Sequence, residues 1–232
     1  MGTLVSYRLE DSIATITMDD GKANVLSLAM QGEINAALDQ AAADHAVVVL
    51  TGREGRFSGG FDLAVLTAGG PDALAMLRGG FELSERLLSF PTPVVIACTG
   101  HAVAMGVFLL LSGDYAIGAA GPFKITANEV AIGLAMPRAA VEICRQRLAP
   151  AHFNRAVITA EVYSPDSAIA AGFLDQVVPP ADVRAAAQEA ATRLAQLDMA
   201  AHAATKLRAR AHALKAIRAG IEADDAALRA MV

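Results

Sequence analysis

Hydrophobic and polar positions along the chain fall into short blocks of different period. In "VSYRLEDSIATITMDD", which follows Leu4, alternation predicts two short strands joined by a polar turn at Glu10-Asp11, with one face buried, and a further turn at Asp19-Asp20-Gly21. From Leu28 to about Ala43 the apolar Met30, Ile34 and Leu38 share one face of an amphipathic helix. Ala46 to Leu50 is continuously apolar, as in a strand covered on both faces, and this points to a helix-covered, at least partly parallel sheet. The same unit follows again: "DALAMLRGGFELSERLLSF" reads as a helix, Pro91 and Pro93 break it, and "VVIACTG" is a second buried strand. "DYAIGAA" and "GFLDQVVP" are further strands. In "SPDSAIAAG" between them, Ser164 is the expected N-cap, Pro165 the first helical residue and Gly172 the stop. From Asp182 to Met231 the chain is Ala-rich, charged and nearly free of strand formers, which predicts two or three helices that pack on the domain or reach a neighbouring subunit. The expected organisation is an α/β core over residues 1–180 and a helical region over 181–232.

Composition changes this picture in one place. The 232 residues are 54% hydrophobic and 19% charged, and the stretch from Leu87 to Gly113, which contains "GHAVAMGVFLLLSG", carries no Lys, Arg, Asp or Glu. A membrane span is disfavoured because Pro91, Pro93, Gly100 and Gly106 interrupt it and no aromatic or basic anchors flank it. Much of the excess apolarity is alanine, which favours helices and close packing. A formal charge of -5, with no Lys/Arg cluster, argues against nucleic acid as a partner. Cys98 and Cys144 sit in apolar surroundings without a CxxC pattern, so buried free thiols in a reducing compartment, the cytoplasm, are expected. The N-terminus shows no export signal.

Common catalytic signatures are missing: GxSxG, HExxH, GxxxxGK[ST] and a strand-to-helix GxGxxG are all absent. What remains are two glycine-marked strand ends, "TGREGRFSGGFDL" and "CTGHAVAMGVFLLL". In each, a buried strand leads into a Gly-containing turn and then into an apolar segment that begins a helix. Free main-chain N–H groups at the two turns could converge on one acceptor; the alternative is that these glycines only permit tight turns. Glu129 reads by itself as an exposed loop carboxylate or a cap. His101, His152 and His202 lack metal-ligand spacing and take no role, and no metal is expected.

"GRFSGGFDL", "TGHAVAMG", "ITANEVAIGLAMP" and "SPDSAIAAGFLDQVV", in that order, resemble the crotonase, or enoyl-CoA hydratase/isomerase, superfamily over nearly the whole chain. "IATITMDDGKANVLS" is similar to that family's first strand and adenine-side loop. The resemblance implies a spiral of repeated β-β-α units with a helical C-terminal region that trimerises, often into a dimer of trimers. It also implies an acyl-CoA substrate, no separate cofactor, and a thioester carbonyl held in an oxyanion hole of two main-chain N–H groups. These fall on Phe61, after the Gly60 turn, and Met105, before Gly106, so that Gly100 to Gly106 forms the second oxyanion turn. Of the family's two glutamate positions, one falls on Glu129 and the other on Phe108, in the acyl pocket.

With one carboxylate kept, the resemblance favours moving a double bond from the 3- to the 2-position, which needs one base that takes a proton from C2 and returns it at C4. Hydration of a 2-enoyl-CoA without the usual first glutamate is one alternative, and non-catalytic acyl-CoA binding another. An apolar neighbour such as Phe108 would help desolvate Glu129 and raise its pKa. For the CoA moiety the resemblance points to Lys22, Ala23, Ser58, Gly60 and Asp62, although Asp62 also suits a helix cap. Glu82 stands either in the acyl pocket or on a solvated face. Lys206, Arg208 and Arg210 either meet phosphates or form a solvated face.

Overall fold

The computed structural model describes residues 3–230. The chain opens with a hairpin, β1 (Val5–Glu10) and β2 (Ile13–Met18), turning through Asp11 and Ser12, both at positive φ. Helix α1 (Leu28–Ala43) starts where Ser27 accepts a hydrogen bond from the Met30 N–H, and it buries Met30, Ile34 and Leu38.

Three successive units of two strands and a helix follow. The first is β3 (Val47–Thr51), β4 (Gly55–Ser58), α2 (Leu63–Ala68) and α3 (Gly70–Ser89); the second is β5 (Val94–Cys98), β6 (Gly100–Val103) and α4 (Met105–Leu110). The third is β7 (Tyr115–Ala119), β8 (Ile125–Thr126), a 3-10 turn over Val130–Ile132, and α5 (Arg138–Arg147). Helices α6 (Pro150–Ile158) and α7 (Pro165–Ala171) lead to β9 (Gln176–Val178), and α8 (Val183–Leu194), α9 (Met199–Ala209) and α10 (Ala211–Arg229) complete the described chain. Helix α7 begins and ends at Ser164 and Gly172, as its caps predict. Met231, the expected limit of the helical tail, lies outside the described residues.

The first strand of each unit joins a six-stranded sheet of order β1-β2-β3-β5-β7-β9, parallel except for the hairpin; the second joins a three-stranded parallel sheet, β4-β6-β8. This is the α/β spiral of β-β-α units that the resemblance implied. The larger sheet is buried on both faces. Val48, Leu50, Val94 and Ile96 join the main core, while Val47, Val49, Val95 and Ile117 pack against Val183, Ala187, Ala190 and Ala191 of α8. Full burial of one such valine or isoleucine is worth about 1.5–3 kcal/mol, so this doubly covered sheet dominates the core. Helix α10 packs on α5 and α3.

The small sheet corrects the sequence reading. The stretch expected to form one turn from Gly100 to Gly106 divides instead: Gly100–Val103 is strand β6, and the turn is confined to Ala104, at φ 50°. The physical reason is close approach: a Cβ on Gly100 would lie 2.0 Å from the Gly55 carbonyl carbon, so the glycine serves strand contact. Strands of four, four and two residues, paired only across long sequence separations, show no alternating signature.

Candidate active site

All three strands of the small sheet run parallel and end at one edge, with Ser58 abreast of Ala102, and Val103 abreast of Thr126. Three residues past Ser58 comes Phe61, two past Val103 comes Met105, and three past Thr126 comes Glu129. Each spiral unit therefore delivers one candidate group to the same edge.

The first turn is braced from below. Ser58 is fully buried and its hydroxyl is occupied within the turn, donating to the Asn24 carbonyl (2.7 Å) and accepting from the Gly60 N–H (3.2 Å). Gly59 N–H donates to Ala23 O, and Leu26 N–H to Gly60 O, both at 2.8 Å. The loop that supplies these partners is held by Asp20, which accepts from the main-chain N–H groups of Lys22, Asn24 and Val25. Burial pushes the Asp20 carboxyl up, but these N–H bonds outweigh it and keep its pKa below the usual value. Ala23 thus acts through its carbonyl, and the Lys22 side chain is exposed. Asp62 caps α2 by accepting from the Ala64 N–H at 2.9 Å.

The two turns abut. Gly60 adopts φ 91°, and a Cβ there would lie 2.9 Å from the Ala104 Cβ and 3.3 Å from the Met105 nitrogen. Helix α4 in turn sits directly on β4, since a Cβ on Gly106 would lie 2.4 Å from the Ser58 carbonyl oxygen. Ala104 is held at φ 50° and ψ -125° by its N–H bond to Thr126 O (3.0 Å) and by Val107 N–H donating to its carbonyl (2.8 Å). A non-glycine residue in this region stores of order 1–3 kcal/mol of strain. Neither the Phe61 nor the Met105 N–H finds an acceptor within the described residues, Met105 being the first residue of its helix. Two unpaired donors therefore stand side by side at touching turns.

Glu129 is 8% exposed, and its Oε2 has no hydrogen-bond partner. Its backbone is fixed by the 3-10 turn, with Ile132 and Leu134 N–H donating to its carbonyl at 3.1 and 2.9 Å. Burial raises its pKa to about 7 against the opposing pull of its own N–H. The buried thiol of Cys144 on α5 is pushed up by burial and then by the nearby Glu129 charge. Both cysteines are free and buried, as expected. Phe108 is buried at 1% exposure, its ring against Phe81 (centroids 6.0 Å apart), and Phe81 meets Phe61 edge-on at 6.0 Å.

The remaining candidates lie elsewhere. Glu82 pairs with Arg78 (3.0 Å) and Arg218 (3.2 Å) in a network between α3 and α10. Lys206 fits neither of its expected roles. It is 6% exposed, bonds Asp114 at 2.7 Å, and shares that carboxylate with Arg210 at 2.8 Å. The partner stands 92 positions away in sequence, so a helical pattern alone reads the lysine as solvated. Arg208 is exposed. His101 accepts from the Lys124 N–H, His152 lies beside Tyr163, and His202 lies beside Lys206 on α9. The sequence reading missed Gln31 and Asn24, buried amides that lock loops to the site; as single polar residues on apolar faces they carry no local signal.

The sequence matches the family model described as Enoyl-CoA hydratase/isomerase over residues 8–231. The chain belongs to this family. A probable enoyl-CoA hydratase of Rhodobacter capsulatus is 30% identical over 87% of the chain and 79% of its own length. The structure of an enoyl-CoA isomerase of Mycobacterium tuberculosis is similar at a TM-score of 0.94 and 53% identity, covering 97% of this chain and 99% of that one. Human mitochondrial delta3-delta2-enoyl-CoA isomerase is similar at a TM-score of 0.92 and 26% identity, covering 98% and 91%. Among the described residues of this hydratase/isomerase family member, no helix is long and apolar enough to cross a membrane.

Proposed function

We propose that this family member isomerises 3-enoyl-CoA to 2-enoyl-CoA thioesters in fatty-acid metabolism, with Glu129 as the single acid/base. The observation that carries the reading is a buried carboxylate with an unpartnered oxygen and a pKa near 7, suited both to take and to return a proton. The C2–H bond breaks to Glu129, the thioester oxygen gains negative charge in the enolate, and the Phe61 and Met105 N–H groups donate to it. The same proton then forms the new C4–H bond, leaving the double bond at C2–C3 with no atom gained or lost. A donor of this kind is typically worth about 2.7–4 kcal/mol in barrier, because it is aimed where charge develops. Phe108 in place of a second carboxylate favours isomerisation; the similar structures carry both names, the same Mycobacterium tuberculosis protein being called an enoyl-CoA isomerase in one and a probable enoyl-CoA hydratase in another. Lys22, exposed beside the first turn, is the expected contact for the anionic CoA moiety, with the Ala23 and Gly60 backbone lining its path.

The test compares initial rates on 3-enoyl and 2-enoyl thioesters of several chain lengths for the wild type and Glu129→Gln. Isomerisation that disappears in a folded Glu129→Gln variant is the expected result. Faster hydration of the 2-enoyl thioester would assign the chain as a hydratase. Thioester binding with no C2 proton exchange in deuterated water would leave it a non-catalytic acyl-CoA binder.

A further inference from the structure

Helix α3 carries consecutive glycines, Gly79 and Gly80, at its centre, where glycine weakens a helix. Both are places where another side chain occupies the missing Cβ. At Gly80 a Cβ would lie 2.5 and 2.6 Å from Cε1 and Cζ of the Phe61 ring and 3.5 Å from Cγ of Met105. The two residues whose N–H groups face the thioester oxygen thus rest their side chains on one point of one helix. The Phe61 ring is hemmed in, 9% exposed and edge-on to Phe81, while Met105 is fully buried.

A second connection reaches the same turn independently. A Cβ on Gly79 would lie 2.5 Å from Oε1 of Gln31, and the Gln31 amide donates to Met76 O on α3 and to Leu26 O, each at 2.9 Å. Leu26 N–H in turn donates to Gly60 O at 2.8 Å. Helix α3 is therefore registered to the Gly60–Phe61 turn through a ring contact on one side and an amide bridge on the other.

We propose that Gly80 is a positioning residue for the oxyanion donors: its missing side chain seats Phe61 and Met105 on α3 and so fixes the gap between their N–H groups. The inference rests on the proposed isomerase reading for its chemistry, but its geometry stands apart from it. A methyl group at Gly80 must push the outer edge of the Phe61 ring, and in this proposal the ring, buried and edge-on to Phe81, passes the shift to its own backbone. Displacement of a donor weakens transition-state binding more than substrate binding, so kcat falls while KM holds.

The experiment measures kcat and KM for Gly80→Ala, Phe61→Leu, Phe61→Ala and the double variant Gly80→Ala/Phe61→Leu, with crystal structures of the wild type, Gly80→Ala and the double variant. Gly80→Ala is expected to lose about 10–100-fold in kcat with KM within about threefold, and the double variant, whose leucine lacks the clashing ring atoms, to return to about the Phe61→Leu value. In the Gly80→Ala crystal Phe61 N moves relative to Met105 N, and in the double variant it returns. Phe61→Ala keeps the donor but empties the seat, so a kcat loss at unchanged KM is expected there too; this variant decides the matter if Gly80→Ala does not fold. Wild-type kcat in Gly80→Ala or Phe61→Ala, an equal loss in the Phe61→Leu background, or an unmoved Phe61 N would overturn the proposal. If the wild type turns over no enoyl thioester, the isomerase reading falls, and the crystallographic displacement still decides the role of Gly80.

Discussion

Two regions of the molecule bury charge, and they treat it in opposite ways. At the starts of β5 and β7, Asp114 accepts from Lys206 and the Val94 N–H through one oxygen, both at 2.7 Å, and from Arg210 through the other at 2.8 Å. Glu129, the more deeply buried of the two, keeps one oxygen without any partner. A buried charge whose atoms are all matched holds α9 to the starts of β5 and β7. An unmatched one raises its own pKa and is left free to exchange a proton. Burial alone therefore does not mark a site; what sets Glu129 apart is burial with no cation to offset it, whereas Asp225, which also keeps an unpartnered buried oxygen, pairs with Arg78 and Arg229.

Several substitutions sharpen or break this contrast. Glu129→Gln has the largest expected effect: a loss of about 10²–10⁴-fold in kcat, read from single-turnover rates on a 3-enoyl thioester. Full activity in that variant would place the two buried carboxylates in one class. Asp114→Ala comes next. It strands Lys206 beside Arg210 in the interior and should destabilise the fold by about 3–5 kcal/mol in urea titrations, while activity per folded molecule stays at the wild-type level.

A pH series separates the regions more finely. Since the folded-state pKa of Glu129, about 7, lies above its ordinary 4.5, the native state binds this proton more tightly than the unfolded chain does. The stability this contributes is complete below about pH 4.5 and is lost as pH rises through about 7. Relative to wild type, Glu129→Gln should therefore gain about 2–3 kcal/mol between pH 4 and pH 8, measured by denaturant midpoints at each pH. Over the same range wild-type kcat/KM should rise and level off above about 7, because only the carboxylate form accepts the C2 proton. Lys206→Met carries the smallest expected effect, about 1–2 kcal/mol in stability, because Asp114 keeps Arg210 and the methionine fills the apolar stem's place.

The legible parts of the chain are those whose reasons are local. The four-residue spacing of Met30, Ile34 and Leu38, the unbroken apolarity of Val47–Thr51 and Val94–Cys98, and the caps of α7 each declare an element within a few residues. The small sheet declares nothing, since β4, β6 and β8 are brief and gain their meaning only from partners some forty and twenty positions apart, as the pairing of Arg56 with His101 and of Val103 with Thr126 illustrates. Phe61, Met105 and Glu129 are legible only through resemblance, because main-chain donors leave no side-chain trace and a lone glutamate in a largely apolar stretch does not announce its burial. Lys206 misleads because it looks ordinary on its own helix, and Gly80 gives no hint of its partner; in both, the group that defines the residue arrives from elsewhere in the fold.

The short offset of each of the three candidate groups past the end of its strand, three, two and three residues, has an evolutionary and engineering consequence. Each group is indexed by counting residues from a strand end, so the site has something like a reading frame. An added or deleted residue within Gly59–Phe61, at Ala104, or within Ala127–Asn128 shifts one group out of phase with the other two, while the sheets beneath continue to pair. An exchange of side chain leaves this count unchanged and acts instead through packing, as at Phe61, or through backbone conformation, as at Gly60 and Ala104. Substitution and insertion therefore make different demands on the site: the first is judged by fit, the second by count.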